Sequence, residues 1–337
     1  MKIIVTGGAG FIGSHTVVEL IKNKFTPVII DDLRNSNAFI IGSISKITGE
    51  KIQHYNIDYG NKSKLREIFK NEKPVGVIHF AADKAVNESV LNPLKYYNNN
   101  ICNLINLLHV ISEFKIKCFV FSSSCTVYGL ADAIPVKETA VFKPPASPYG
   151  HTKQVGEIIL NNFFNNLPNS TLIHLRYFNP IGAHPSGLIG ELPLGVPTNL
   201  IPYITQTASG KRKQLTIHGN NYETKDGTCI RDYIHVVDLA RAHVLSLNHS
   251  LNNPNNMVLN VGTGCGSSVL EIVNLFQKIN ELTLNYSFGP RRDGDVPVMY
   301  ADNNLIRKKI NWMPKFTLSD SLKHSWKWEK NLPILNV

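Results

Sequence analysis

Lys2-Ile3-Ile4-Val5-Thr6-Gly7-Gly8-Ala9-Gly10-Phe11-Ile12-Gly13 is the stretch that decides the fold. Its first five residues read as a short buried strand. The glycines Gly7, Gly10 and Gly13 follow in the spacing G-x-x-G-x-x-G, and G-x-G-x-x-G also fits from Gly8. From Ser14 to Lys22 the pattern turns helical, with Ile12, Val17, Leu20 and Ile21 on the apolar side. Strand, glycine turn and helix form the context that a dinucleotide fingerprint requires. Such glycines let the backbone turn sharply and approach a pyrophosphate at the helix N-terminus, where N–H groups and the dipole attract anions. The next strand, Pro27-Val28-Ile29-Ile30, ends in Asp31-Asp32. A carboxylate about 20 residues past the glycines suits a ribose 2′-hydroxyl and repels the 2′-phosphate of NADP, so NAD is the expected cofactor.

Working outward, strands and helical stretches alternate through the first half, as a parallel α/β sheet demands. Gln53 to Asp58 reads as a third strand and Lys62 to Phe69 as a helix. Val75 to Phe80 is a fourth, buried strand opening into Ala81-Ala82-Asp83-Lys84. One long helical segment is expected from Pro93 to Phe114. Lys117 to Phe121 is a fifth strand, ending at Ser122-Ser123-Ser124. Thr171 to Tyr177 is a sixth, closed by Phe178-Asn179-Pro180. Glycine and proline punctuate Ala183 to Pro197, which predicts a long loop. The expected architecture is a Rossmann-type doubly wound parallel sheet over residues 1–180. A smaller C-terminal α/β lobe follows over 181–337, with a segment near 234–247 packing back on the first domain. Ligands on open α/β sheets bind beyond the C-terminal ends of the strands, where Gly7, Asp31, Asp58, Phe80, Ser122 and Asn179 should fall.

Ser147-Pro148-Tyr149-Gly150-His151-Thr152-Lys153 follows a proline-rich loop. On a helix, Tyr149 and Lys153 share one face. A free tyrosine, with a pKa of roughly 10, is a poor base at neutral pH. A nearby ammonium lowers that value and makes the pair a candidate acid/base.

Composition narrows the function classes. The chain has 337 residues, 43% of them hydrophobic, and no apolar run long enough to predict a membrane span. The first strand begins at Lys2, so no signal or transit peptide is expected, and the chain reads as cytoplasmic. Cys102, Cys118, Cys125, Cys229 and Cys265 form no C-x-x-C pair, which suits reduced thiols rather than a disulfide frame or a metal site. The net charge is +10, but the basic residues are dispersed. A positive field serves a diphosphate ligand, and nucleic acid is not expected as a partner.

Five segments carry a resemblance: Val5 to His15, Phe121 to Gly129, Leu175 to Pro185, Arg231 to Val236, and Pro290 to Asp295. With the Tyr149/Lys153 pair they resemble the extended short-chain dehydrogenase/reductase family, and within it the nucleotide-sugar 4-epimerase branch. The resemblance implies that Tyr149, Lys153 and Ser124 are catalytic. It implies that NAD is held by Gly7, Gly10, Phe11, Ile12, Gly13, Asp31, Asn35, Asp58, Tyr59, Phe80, Ala81, Lys84, Asn99, Ser122, Tyr149, Lys153 and Tyr177. A UDP-sugar would meet Ser124, Asn179, Asn199, Leu200, His218, Arg231, Tyr233, Arg292, Asp295 and Met299. Arg231 and Arg292 would clamp the diphosphate, a task suited to a fixed guanidinium fork. Taken alone, Arg231 also reads as an ion-pair partner of Asp232.

The implied reaction is reversible epimerisation at C4 of a UDP-hexose through a 4-keto intermediate, in a homodimer. Two alternatives stand beside it: action on UDP-N-acetylhexosamines, and an inactive sugar-nucleotide-binding regulator. Dehydratases of the family carry an Asp-Glu pair where this chain has Cys125 and Thr126, so elimination is disfavoured. Other departures are Met299 at the pocket gate, Asp83 beside Lys84, the larger Cys102-Asn103-Leu104 after the Asn pair, and His218 where an aromatic near the uracil is common.

Overall fold

The structure, a computed structural model, describes residues 1–292 and 294–335. Asp293 of the expected 290–295 segment lies outside the described residues. Strands β1 (Lys2–Thr6), β2 (Thr26–Ile30), β3 (Gln53–Tyr55), β4 (Gly76–His79), β5 (Cys118–Ser124) and β6 (Thr171–Tyr177) join the strand Met257–Val261 in a sheet of seven. The spatial order is Met257–Val261, β6, β5, β4, β1, β2, β3, and every pairing is parallel. The chain runs outward from β1 through β2 and β3, then crosses to β4 and runs the other way. The reversal opens a crevice between β1 and β4 at their C-terminal ends.

Alternation of side chains across the pleat divides the core. Ile3, Val5 and Ile29 face one layer, which holds the helices Phe11–Lys22 and Val236–Asn252. Ile4, Val28, Val77 and Phe119 face the other, with Leu104, Leu107 and Leu160. These strands are buried on both faces and so read as continuous apolar runs.

The second lobe is built on the helices Leu200–Ala208, Val269–Asn280 and Leu318–Asn331 around a separate core with Ile204, Leu215, Phe276 and Leu322. Capping boxes at Ser268/Glu271 and Thr317/Asp320 start the latter two helices. Three short pairings bring the lobe to the crevice: Asn179–Ile181 with Tyr233–His235, Leu215–His218 with Tyr286–Gly289, and Ile230–Arg231 with Val298–Met299.

Several elements differ from the sequence reading. β3 ends at Tyr55, which leaves Asp58 in a turn where its carboxylate accepts from the Gly60 N–H at 2.7 Å. The expected helix from Pro93 to Phe114 is three pieces: Pro93–Tyr97, a π-helical turn Asn98–Cys102, and Asn103–Glu113. The helices Phe39–Thr48 and Val86–Leu91 have no counterpart in the sequence reading. The main sheet also takes Met257–Val261, far past residue 180.

Candidate active site

The glycine turn holds its shape through close packing. Gly7 has φ +70°, and a Cβ there would lie 2.7 Å from the Ala81 nitrogen across the β1/β4 crevice. A Cβ at Gly13 would meet the Gly7 carbonyl at 2.2 Å, whereas at Gly10 it would meet only that oxygen, at 3.2 Å. Gly10 caps the Phe11–Lys22 helix with no side-chain cap. The first-turn N–H groups, Phe11 and Ile12 among them, therefore lack intrahelical partners and face the crevice end, as a pyrophosphate site requires. Asp31 folds back on this turn: its carboxylate accepts from Ala9 N at 3.0 Å, Leu33 N at 2.9 Å and Ser36 Oγ at 3.0 Å.

Beyond it, Asp58 accepts from Asn103 Nδ2 at 3.2 Å and from Arg34 at 2.8 Å. The large residue at 103 is thus a partner of Asp58. The Tyr59 ring is buried against His79 and its hydroxyl donates to the Asn99 carbonyl. Asn35 reaches the Asp83 carboxylate at 3.4 Å. Asp83 is buried, and burial raises its pKa. Lys84 follows it in sequence. It is largely exposed and pairs with Glu191 at 3.1 Å, across to the second lobe.

The reactive end lies beyond β5. Lys153 is buried and donates to the Ser122 carbonyl at 2.6 Å, with the Ser122 hydroxyl at 3.5 Å. Its ammonium sits 6.0 Å from the Tyr149 ring centroid and 5.0 Å from that of Phe121. Ser147 caps the Pro148–Asn165 helix by accepting from Gly150 N, and Pro148 occupies the first turn, so Tyr149 is fixed at the helix start. Ser124 caps the short 3₁₀ turn Cys125–Tyr128.

Burial pushes the Tyr149 phenol up to about 12, with the Ser124 hydroxyl pulling it back. The same burial brings Lys153 down to about 8, with Glu157 opposing. Desolvation is the largest influence on both side chains. Tyr177 and Ser122 adjoin this pair, and the Tyr177 hydroxyl also contacts His243 at 3.2 Å. Phe80 packs on His243 at 4.6 Å between ring centroids.

A supporting network was missed in the sequence. Glu157, one turn past Lys153, accepts from the Ser123 hydroxyl and forms a buried ion pair with Arg176 at 2.6 Å. Arg176 in turn bonds Tyr128, whose hydroxyl donates to Asn260 at 2.6 Å. The i+4 spacing after Lys153 was its only local signal. Cys125, beside Ser124, has its thiol pushed up to about 12 by burial, so it is no acid/base at neutral pH.

At the second-lobe wall, Arg231 at 3.4 Å and Arg292 at 2.9 Å both reach Asp295. The alternative Arg231–Asp232 pair is not made. Asp232 is buried and instead accepts from Thr263 N at 2.8 Å, Gly264 N at 3.0 Å and Ala301 N at 3.2 Å. Met299 lies opposite Arg231 in register, buried against Val127, Tyr128 and Phe178. Asn179 pairs with Tyr233. Asn199 starts the helix that Leu200 opens, and its side chain donates to Glu191 at 2.6 Å. His218 is exposed, near the Pro290 carbonyl at 3.3 Å. Among the described residues, no group of three or more His, Cys, Asp or Glu is placed to hold a metal, and no helix is long and apolar enough to cross a membrane.

A dinucleotide crevice with a half-buried tyrosine beside a buried lysine defines a nucleotide-sugar enzyme of the extended short-chain dehydrogenase/reductase class. A family model described as GDP-mannose 4,6 dehydratase matches residues 4–325. The chain is 46% identical over 333 residues to a UDP-glucose 4-epimerase of Dictyostelium discoideum, covering 98% of this chain and 96% of that one. It is 44% identical over 331 residues to one of Bacillus subtilis, covering 98% and 97%. Its structure is similar to that of a UDP-glucose 4-epimerase from Stenotrophomonas maltophila with bound NAD and formylated UDP-arabinopyranose, with TM-score 0.97, 41% identity and 99% of each chain covered. It is also similar to one from Bifidobacterium longum in complex with NAD⁺ and UDP, with TM-score 0.94, 38% identity and 99% of each chain covered. The chain belongs to the UDP-glucose 4-epimerase family.

Proposed function

We propose that this chain interconverts UDP-galactose and UDP-glucose at C4, using tightly held NAD and a 4-keto sugar intermediate. The observation that carries this reading is the meeting of Tyr149, Ser124 and Lys153 between the glycine turn and the arginine pair Arg231/Arg292. Bound NAD supplies the acceptor and returning donor of the C4 hydride. Gly7, Gly10, Phe11, Ile12, Gly13, Asp31, Asn35, Asp58 and the wall formed by Phe80 and Ala81 hold it. Residues 1–180 chiefly serve the cofactor and 181–337 the nucleotide-sugar.

Tyr149 removes the proton of the sugar 4-hydroxyl and later returns it. Its phenolate is costly in a buried crevice, and Lys153 is the cation that the chain supplies to offset that cost. Ser124 bonds the same oxygen. Arg231 and Arg292, aligned by Asp295, hold the diphosphate while the hexose turns to present its other face. The protein acts in the cytoplasm as a homodimer, paired through the helices after Pro93 and Pro148. Leu94 and Ile158, 81% and 50% exposed on them, support that pairing.

The test is UDP-glucose carrying deuterium at C4. Intramolecular return predicts UDP-galactose with the label still at C4. Loss of label to water at the rate of epimerisation would refute the reading.

A further inference from the structure

Arg34 lies at the adenosine end of the crevice and belongs to no motif that the sequence singled out. The turn after β2 places it through Leu33, whose φ is +62°. Its backbone N–H donates to Asp32 Oδ1 at 3.2 Å and its Nε to Asp32 Oδ2 at 2.7 Å. Its far nitrogen donates to Asp58 Oδ2 at 2.8 Å. The guanidinium therefore ties the loop after β2 to the loop after β3, 24 residues on.

Ion pairs this exposed contribute little to folding, so a role at the ligand pocket is the more economical account. The other Asp58 oxygen is already held by Gly60 N at 2.7 Å and Asn103 at 3.2 Å. With Arg34 in place, both oxygens of the Asp58 carboxylate, which the resemblance assigns to NAD, are fixed in direction. A dinucleotide lying on this edge would dry the pair and strengthen it. Two of the fork's donors are spent on carboxylates, and Asp31 lies alongside, so the cation does not offer a seat to a 2′-phosphate.

We propose that Arg34 is a positioning residue that clasps the adenosine end of the NAD site, orienting Asp58 and retaining the cofactor. The proposal rests on the NAD reading above. Its test is the rate at which bound NAD leaves the purified full chain, followed by exchange against excess free nucleotide. Wild type, Arg34→Ala, Arg34→Lys and Asp32→Asn would be compared at low and high salt, with thermal midpoints as a folding control.

Arg34→Ala should release NAD about tenfold faster or more, the scale of one charge-assisted hydrogen bond. Arg34→Lys should restore part of the retention, and Asp32→Asn should lose part of it. Release from wild type should quicken with salt more than release from Arg34→Ala. Equal retention by Arg34→Ala and wild type would overturn the clasp and leave the NAD reading standing. So would loss of NADP binding alone. If Arg34→Ala does not fold, unchanged retention by Asp32→Asn overturns the clasp. A wild-type chain that holds no NAD and takes up none would overturn both.

Discussion

Tyr149 and Lys153 each carry the cost of burial in opposite directions. Desolvation raises the phenol to about 12 and lowers the ammonium to about 8. Both shifts favour the neutral forms, so in this crevice the phenol holds its proton against Lys153 more firmly than the free side chains would. Removing the phenol oxygen should be severe: Tyr149→Phe is expected to lose roughly 10²- to 10⁴-fold in kcat, with little change in thermal midpoint. Steady-state turnover of UDP-galactose checks this, and retention of more than about a tenth of wild-type kcat would contradict the acid/base role.

The glycine turn is the element on which the cofactor reading depends, and two of its glycines separate folding from binding. Gly13→Ala would place a Cβ 2.2 Å from the Gly7 carbonyl, a backbone atom with nowhere to go. It should destabilise the chain by about 1–3 kcal/mol, seen as a lowered denaturant midpoint. Gly10→Ala meets only the Gly7 carbonyl, at 3.2 Å, and should fold yet retain less NAD, because a side chain in the glycine turn hinders close approach of the backbone to a pyrophosphate. If both variants melted and bound alike, the turn would not have the geometry described.

This turn was legible in the sequence because spacing and apolar period are local. The tyrosine helix was legible too, through Ser147, Pro148 and the i+4 pair. The π-helical turn at Asn98–Cys102 was not. It is secured by distant partners, with Asn100 donating to the Asp83 carbonyl at 3.0 Å and to Thr152 at 3.1 Å. The strand Met257–Val261 was hidden for the same reason, since only pairing with β6 defines it. The pairing of Lys84 with Glu191, 107 residues away, was hidden as well. Contacts made at such separations leave no periodic trace.

For the whole molecule, burial of histidines sets the response to acid. Burial lowers His15, His79 and His235 to about 3, and His174, His184 and His243 to about 4. Below roughly pH 6.5 the unfolded chain gains protons that the folded chain refuses. Stability should therefore be full above that pH and fall as the pH drops toward 4. Thermal midpoints across pH 4–8 test the sign, and a flat profile would contradict it. Association is a second property at this scale. Leu94, Val90 and Leu91 are 81%, 59% and 79% exposed on neighbouring short helices, an apolar face that pairing would cover. Sedimentation should give a dimer that Leu94→Glu weakens, and a monomeric wild-type chain would refute the pairing.

The central claim, redox-neutral epimerisation with resident NAD, is tested most directly by NMR of UDP-galactose mixed with purified protein and no added nicotinamide. The account predicts a stable mixture of UDP-glucose and UDP-galactose with no net NADH. No conversion even after NAD is added, or NADH accumulating with substrate consumed, would contradict it.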